Sequence, residues 1–335
     1  MITRPNIFSL LFLAIVLALP APFSAAGAQQ SNSLRVATYN LENFFDRYDD
    51  PYVQDMDTNT DTQPKSFKAL DALASIIKKV NPDILALQEV ENRGFLEEFN
   101  AAWLKDMHYT HQILIEGNNS HADDYSRGID VALLARVPVL SVTSYQDREF
   151  SVRNRPRRFS RDLLHARFKP FGFPELHVFV LHAPSRNGGT QAFYRRVAEA
   201  KEAAVILSEL FAGSSNANII VTGDFNDDPG SASLGVYTSI PGVPLLRLPA
   251  GDPAGRSFTW YGGKRSAFPP IAFDHILVSP AVARKIPGGS ARIWNGPEAE
   301  IASDHRPVYT TLYSAPVSSA AHALKMKPAA VPTAD

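Results

Sequence analysis

A β-branched run, Ile219, Ile220, Val221 and Thr222, gives way at Gly223 to Asp224, Asn226, Asp227 and Asp228. The same passage from apolar to chemically active residues recurs along the chain. Leu34–Asn40 ends on an asparagine with Glu42 and Asn43 just beyond, and Ile84–Gln88 runs into Glu89. Leu176–Leu181 delivers His182 and Arg186, Asp274 opens a further apolar run, and Asp304 and His305 precede the last one. Each group has a bland reading alone: an acidic turn, a carboxylate that caps the next helix, a structural histidine. Together they read differently, because burying a carboxylate at a strand end is costly unless a partner neutralises it. If these ends meet, they build one acidic pocket with two histidines and two asparagine amides. Such oxygen donors suit Mg²⁺, or Mn²⁺ or Ca²⁺ in its place, sharing its shell with water and substrate phosphate. Zinc fits less well, for no HExxH or other paired-histidine helix is present. In-line attack on a phosphate ester needs a positioned water, a proton acceptor, and donors or a cation for the developing charge. These residue types supply all three.

The elements that must position these groups follow from periodicity. Lys65–Val80 carries Leu70, Leu73, Ala74, Ile77 and Val80 at helical spacing and stops at Asn81-Pro82. Helices are also expected over Phe95–Leu104 and from about Gln191 to Phe211. Further strands are expected at Gln112–Ile115, Val131–Ala135, Leu163–Phe168, Ser257–Tyr261, Phe273–Ser279 and Arg306–Leu312, while Pro241–Gly255 has no regular pattern. Gly223 reads as the turn that ends its strand. Two loops carry charge. Asp55, Asp57, Asn59 and Asp61 imitate the start of a calcium loop, but Thr60 stands where glycine is needed and Ser66 where glutamate is, so the stretch reads as solvated. Arg153, Arg155, Arg157, Arg158 and Arg161 crowd nine residues and either grip phosphate or face solvent.

Composition narrows the class. With 335 residues, 45% of them hydrophobic, and no repeat, one domain of about 280 residues is expected. The absence of cysteine excludes disulfides and thiolate chemistry. Arg4, the apolar run Ile7–Leu19 and the small residues up to Ala28 form a signal-peptide pattern, too short for a membrane span. The expected organisation is a signal over residues 1–28, a linker over 29–33, the domain over 34–314 and a disordered Ala/Pro-rich tail over 315–335. Losing Arg4 would take the net charge from −1 to −2, so a polyanion would be met locally rather than by bulk charge. The expected product is exported to the periplasm or beyond, monomeric and without a lasting membrane anchor.

TYNLEN (Thr38–Asn43), LQEVE (Leu87–Glu91), LHAPSR (Leu181–Arg186), GDFND (Gly223–Asp227), FDHILVS (Phe273–Ser279) and SDHRP (Ser303–Pro307) occur in this order. In that set the chain resembles the endonuclease/exonuclease/phosphatase superfamily over about residues 34–313. The resemblance implies an α/β fold of two β-sheets packed face to face with flanking helices, a four-layer sandwich. It implies that Glu89 is the principal Mg²⁺ ligand, with Asn40 near it and Glu42 or Asp304 assisting. Asp224 would orient or deprotonate water and Asn226 would hold a phosphate oxygen. His305, steadied by Asp274, would serve as base or charge stabiliser. His182 matches a histidine of the pancreatic-type deoxyribonuclease branch, and Arg127 and Arg186 are candidate phosphate contacts. The leading expectation is a metal-dependent nuclease acting on nucleic acid. The alternatives are a phosphatase or phospholipase C-like hydrolase of a phosphoinositide, sphingomyelin or another phosphate ester, and a non-catalytic binding protein on the same fold.

Overall fold

Ile84 and Ala86 face one side of the strand they share, and Leu85 and Leu87 face the other, all buried. A strand apolar on both faces must be covered on both. The computed structural model describes residues 32–48, 63–118, 128–212, 214, 216–243, 245–262 and 269–314. The expected signal and tail, the acidic stretch Asp55–Asp61 and Arg127 lie outside them.

The strands and helices alternate as β1 (Ser33–Phe44), α1 (Phe67–Val80), β2 (Ile84–Val90), α2 (Arg93–Trp103), β3 (His111–Leu114), β4 (Asp130–Ala135) and β5 (Val139–Ser144). A small hairpin of β6 (Phe150–Val152) and β7 (Arg155–Arg157) precedes β8 (Leu164–Phe168), β9 (Leu176–His182), α3 (Gly189–Phe211) and β10 (Ile219–Asp224). The chain closes with α4 (Ala232–Thr238), β11 (Leu246–Arg247), β12 (Ala250–Gly251), β13 (Asp274–Val278), α5 (Pro280–Ala283), β14 (Ala291–Ile293), α6 (Ala299–Ala302) and β15 (Val308–Tyr313). One sheet has the order β12-β14-β15-β1-β2-β4-β3, the other β11-β13-β10-β9-β8-β5. Their facing sides interlock through Val36, Ile84 and Val131 from the first, and Leu164, Val180, Ile220 and Ile276 from the second. Leu73, Ile76 and Ile77 of α1 cover the outer face of the first sheet, and Ala203, Ile206 and Leu207 of α3 cover that of the second. The expected four-layer sandwich is therefore present. Each buried Val, Leu or Ile among these stabilises the fold by about 1.5–3 kcal/mol.

Strand direction brings the polar ends together. β1 and β2 run parallel, with Asn40 beside Gln88, and β9 and β10 run parallel, with His182 beside Asp224. β13 is antiparallel to β10 but begins where β10 ends, so Asp274 lies opposite Asp224. β15 is antiparallel to β1, pairing Val308 with Thr38, which sets Asp304 and His305 at the same edge.

Three local expectations are corrected. Gly223 does not end its strand: β10 continues to Asp224, and at φ 145° a Cβ on Gly223 would collide with the Leu181 carbonyl oxygen. Ser257–Tyr261 is not a strand; only Trp260 forms isolated bridges, to Ile271 and His305. Pro241–Gly255 contains the two-residue strands β11 and β12. No helix among the described residues is long and apolar enough to cross a membrane.

Candidate active site

Both strands that carry the expected cation ligands leave regular geometry where the ligands begin. The pairing of β1 with β2 shifts between Asn40 and Phe44, and that of β2 with β4 between Gln88 and Val90. Glu42, Asn43 and Glu89 have φ of 50°, 51° and 61°, a left-handed conformation that non-glycine residues seldom adopt. Bulges of this kind re-aim side chains, and here one turns Glu89 toward the cleft. The Asn43 amide donates to Glu89 Oε2 at 2.8 Å, and Asn40 Nδ2 donates to Glu89 Oε1 at 3.3 Å and to Asp224 Oδ2 at 3.0 Å. Glu89 does not cap α2. Asn92 does, its side chain accepting from the Phe95 amide at 2.8 Å.

Lys65 sits under the bend with a side chain only 8% exposed. Its ammonium donates to the carbonyls of Leu41 at 2.8 Å and Glu42 at 2.6 Å and lies 3.7 Å from the Glu42 carboxylate. Burial lowers the Lys65 pKa against the pull of Glu42, Asp304 and Glu89. The Glu42 carboxylate accepts from the Asp304 amide at 3.0 Å, and Asp304 Oδ2 accepts from the Trp260 indole at 2.8 Å.

The second sheet supplies the remaining groups. Asp224 is held by the Asn226 amide at 2.7 Å, and Asn226 Nδ2 reaches the Ala183 carbonyl at 2.9 Å and Asp224 Oδ2 at 3.3 Å. His182 Nε2 lies 3.5 Å from Asp224 Oδ2 and 4.0 Å from Glu89 Oε1. His305 meets Asp274 Oδ2 through Nδ1 at 2.8 Å, while its Nε2 lies 3.8 Å from Asp224 Oδ2 and 3.9 Å from Asp304 Oδ1. Ser303 fixes the approach of this segment, donating to the Asn40 carbonyl at 2.8 Å and accepting from the His305 amide at 3.0 Å.

Burial pushes the Asp224 carboxyl up to about 7, and Asp274 adds to the effect while His305 opposes it. Burial alone would lower the His305 pKa, but Asp274, Asp304 and Asp224 outweigh it and hold the imidazole well above its ordinary value. Glu42 and Asp304 are raised as well, first by burial; repulsion from Asp304 adds to the rise at Glu42, and repulsion from Glu89 to that at Asp304. Carboxylates that raise one another are an environment a divalent cation relieves, so the residues present fit a hard metal. Two places compete for it. Atoms of Asp224, Asp274 and His305 lie within 4.8 Å of one another and could hold an ion. Asp274 and His305 are already hydrogen-bonded to each other, whereas Glu89 and Asp304 both line the cleft.

A cleft of about 150 Å³ unites the set: Glu89, His182, Asp224, Asn226, Asp304 and His305 all line it, with Arg186. Asn40 and Asp274 stand behind this wall, and Glu42 beside it turns to Lys65. Arg186 is braced by Asp227, and by Asp228 at 2.6 Å, with its guanidinium 5.3 Å from the Phe273 ring. Of the arginine cluster only Arg161 lines the cleft. Sequence reasoning missed Lys65, whose role depends on a fold-back of the chain, and the aromatic wall of Trp260 and Phe273, whose rings stack 5.2 Å apart.

Residues 35–238 match the family model described as Endonuclease/Exonuclease/phosphatase family. No curated protein matches the chain in sequence. Among solved structures, truncated Caenorhabditis elegans TDP2 is similar with a TM-score of 0.54 and 16% identity over 84% of this chain and 98% of that one. Sphingomyelinase C from Streptomyces griseocarneus gives 0.57 and 17% over 84% and 99%. The human nocturnin catalytic domain, with bound sulfate anion, gives 0.57 and 16% over 84% and 94%. At these identities the likeness is one of fold.

Proposed function

Because this chain belongs to the endonuclease/exonuclease/phosphatase family, whose members are phosphoester hydrolases, we propose that it hydrolyses phosphodiesters of nucleic acid with a divalent cation, Mg²⁺ before Mn²⁺ or Ca²⁺. The observation that carries this reading is the convergence of Glu89, His182, Asp224 and His305 on one cleft, with His182 Nε2 and His305 Nε2 each within 4.0 Å of a carboxylate oxygen. Glu89 would hold the cation with Asp304 and Asn40 at its side, and Glu42 supports that group through the Asp304 amide. When bound, the ion supplies positive charge for the phosphoryl oxygens.

The chain's own groups do the rest. Asp224, buried and poised near neutrality, accepts the proton of the attacking water as oxygen bonds to phosphorus. His305, kept cationic by its carboxylate neighbours and held by Asp274, donates toward the phosphoryl oxygen that gains charge. Asn226 fixes the Asp224 carboxylate and borders the phosphate, so its role is chiefly orientation. His182, on the opposite side of Asp224, is placed to protonate the departing alkoxide. Arg186, braced by two aspartates, presents a fixed guanidinium to the substrate.

Hydrolysis of plasmid DNA, RNA, a phosphoinositide and sphingomyelin, each with Mg²⁺ and with EDTA, tests the reading. Metal-dependent cleavage of nucleic acid supports it. Turnover of sphingomyelin or phosphoinositide alone would move the substrate to the second reading, a phospholipase C-like hydrolase, which the Trp260–Phe273 wall favours as an apolar lining. We further propose that the chain is exported by its N-terminal apolar run and acts as a monomer without a membrane anchor.

A further inference from the structure

Four of the five clustered arginines do not line the cleft, and their arrangement is not that of a merely solvated loop. Arg153 and Asn154 both adopt left-handed backbone, φ 49° and 63°, to close the β6–β7 hairpin. Such a two-residue turn matches the twist of a hairpin but ordinarily takes asparagine or glycine. Here an arginine holds the first position. The hairpin is anchored, because Phe150 packs edge-on against buried Phe159 with ring centroids 5.3 Å apart. From its tip, Arg153 lays its guanidinium 4.9 Å from the ring of Tyr194 on α3, and Phe193 meets Tyr194 edge-on at 5.5 Å. Both rings are exposed, Phe193 by 40% and Tyr194 by 41%.

The charges on this edge are sorted. Arg158 is matched by Asp147 and Glu149, and Arg148 by Glu202 and Glu209. Arg155 and Arg157, both exposed, have no carboxylate partner among the described residues. The surface is also continuous with the cleft. Arg186 and Asn187 line the cleft, and α3 starts two residues after Asn187, so Tyr194 stands roughly 7.5 Å along the helix from its start. At the other end of the segment, Arg161 lines the cleft wall.

We propose that the β6–β7 hairpin and the first turns of α3 extend the cleft as a binding track for single-stranded nucleic acid. Arg155 and Arg157 meet backbone phosphates, and the Tyr194–Phe193 pair stacks an unpaired base. The track rests on the nuclease reading and names its substrate form. Arginines interleaved with exposed rings are the composition that single strands require, since every base offers a face to stack and every residue a phosphate to neutralise. A lipid surface would call for a broader apolar patch than two part-exposed rings set among arginine and asparagine.

The test compares full-length wild type with Arg155→Gln/Arg157→Gln and with Tyr194→Ala. Three substrates are used with Mg²⁺: a single-stranded oligonucleotide of about a dozen residues, its duplex, and bis(p-nitrophenyl) phosphate, too small to reach the hairpin. The double variant is expected to lower kcat/KM on the single strand about tenfold or more near 150 mM salt, through KM. It should also flatten the slope of log affinity against log salt by about 1.4, some 0.7 for each lost phosphate contact. Tyr194→Ala is expected to cost about fivefold or more on the single strand and less on the duplex. Turnover of the small ester and the thermal midpoint should stay unchanged in both variants. If wild type cuts the oligonucleotide and the variants match it in KM and salt slope, the track is wrong and the nuclease reading stands. If wild type hydrolyses only the small ester or sphingomyelin, the nuclease reading falls and the track with it. Loss of binding to phosphatidylserine vesicles, with oligonucleotide kinetics intact, would make the surface a membrane contact and overturn the proposal.

Discussion

His305 and Asp274 are joined by a 2.8 Å hydrogen bond through Nδ1, which leaves His305 Nε2 as the nitrogen that faces Asp224 and the cleft. Asp274 is itself locked, its amide and that of Phe273 both donating to Thr259 Oγ1, at 3.0 Å and 2.9 Å. The carboxylate therefore sets both the charge and the direction of the imidazole. Asp274→Asn keeps the shape but removes the charge, so kcat should fall by about 10²–10⁴ with KM little changed. Steady-state kinetics at saturating cation decide it. A kcat within a factor of two or so of wild type would remove His305 from the chemistry.

Glu89 and Asp224 share Asn40 as a hydrogen-bond partner, yet they are assigned different work. Glu89→Gln should raise the Mg²⁺ concentration needed for half-maximal activity by about 10–100-fold, with partial recovery at high Mg²⁺. Asp224→Asn should lower kcat by at least about 10²-fold at any Mg²⁺ concentration. A Mg²⁺ titration of both variants separates the roles. Recovery of Asp224→Asn by excess metal would exchange the two assignments.

Much of this site was legible because its chemistry sits at strand ends and strand ends have a sequence signature. Ile219–Asp224 and Ile84–Glu89 each announce where an apolar ladder stops, and parallel pairing of β1 with β2 and β9 with β10 carries the stops to one edge. Side chains that arrive from elsewhere carry no such mark. Lys65 reads as the start of a helix, and nothing in its neighbourhood tells that its ammonium turns back to Leu41 and Glu42. Ser257–Tyr261 has strand composition, but Trp260 exchanges a reciprocal pair of backbone bonds with Ile271 while its neighbours Thr259 and Tyr261 bond to Arg306 and Asp304, so isolated bridges form rather than a ladder. The arginine cluster was ambiguous for a similar reason. Its direction depends on a turn at Arg153-Asn154 that lacks the glycine by which hairpins are usually recognised.

Lys65 gives a prediction the sequence could not. Lys65→Met leaves two carbonyl oxygens without their donor at a bend where Glu42 and Asn43 are already in left-handed backbone. The loss should destabilise the fold by about 1–3 kcal/mol and weaken Mg²⁺ binding, since Asn43 and Asn40 would no longer hold Glu89 in place. Lys65→Arg should restore stability in part and Mg²⁺ affinity less, because a planar fork cannot reproduce a compact ammonium in that space. Thermal denaturation and isothermal titration with Mg²⁺ read the two effects separately. Full Mg²⁺ affinity in the methionine variant would show that the bend holds itself.

Arg306 is completely buried, and its guanidinium meets Asp252 Oδ2 at 2.8 Å, Asn295 Oδ1 at 3.3 Å and the carbonyl of Phe258, whose ring it covers at 3.8 Å. The Asp252 carboxylate accepts three further hydrogen bonds, from the amides of Ala254 and Arg256 at 2.9 Å and from Arg256 Nε at 2.7 Å. Burial would raise the Asp252 carboxyl, but these donors overcome it and bring it down to about 2. The unfolded chain takes up that proton near pH 3.9, so the contribution of Asp252 is complete above that value and is lost as pH falls through 2. His275 and His165 behave in the same direction at higher pH. Burial lowers them to about 4 and about 3, so both stay neutral in the fold while the unfolded chain binds protons from about pH 6.5 downward. The contribution of these three groups holds level above about pH 6.5, declines gradually toward pH 4 as the unfolded histidines charge, and drops between about pH 4 and 2 as Asp252 is protonated. Asp224, raised to about 7, and His305, held above its ordinary value, contribute in the opposite sense between about pH 7 and 4. Thermal midpoints of wild type and Asp252→Asn, compared across that range, isolate the lower stage. Asp252→Asn should lower stability at neutral pH by about 3 kcal/mol, since it strands a buried guanidinium, and should soften the lower stage while leaving the histidine stage in place. Identical pH profiles for wild type and Asp252→Asn below about pH 4 would mean that Asp252 keeps its ordinary pKa in the fold.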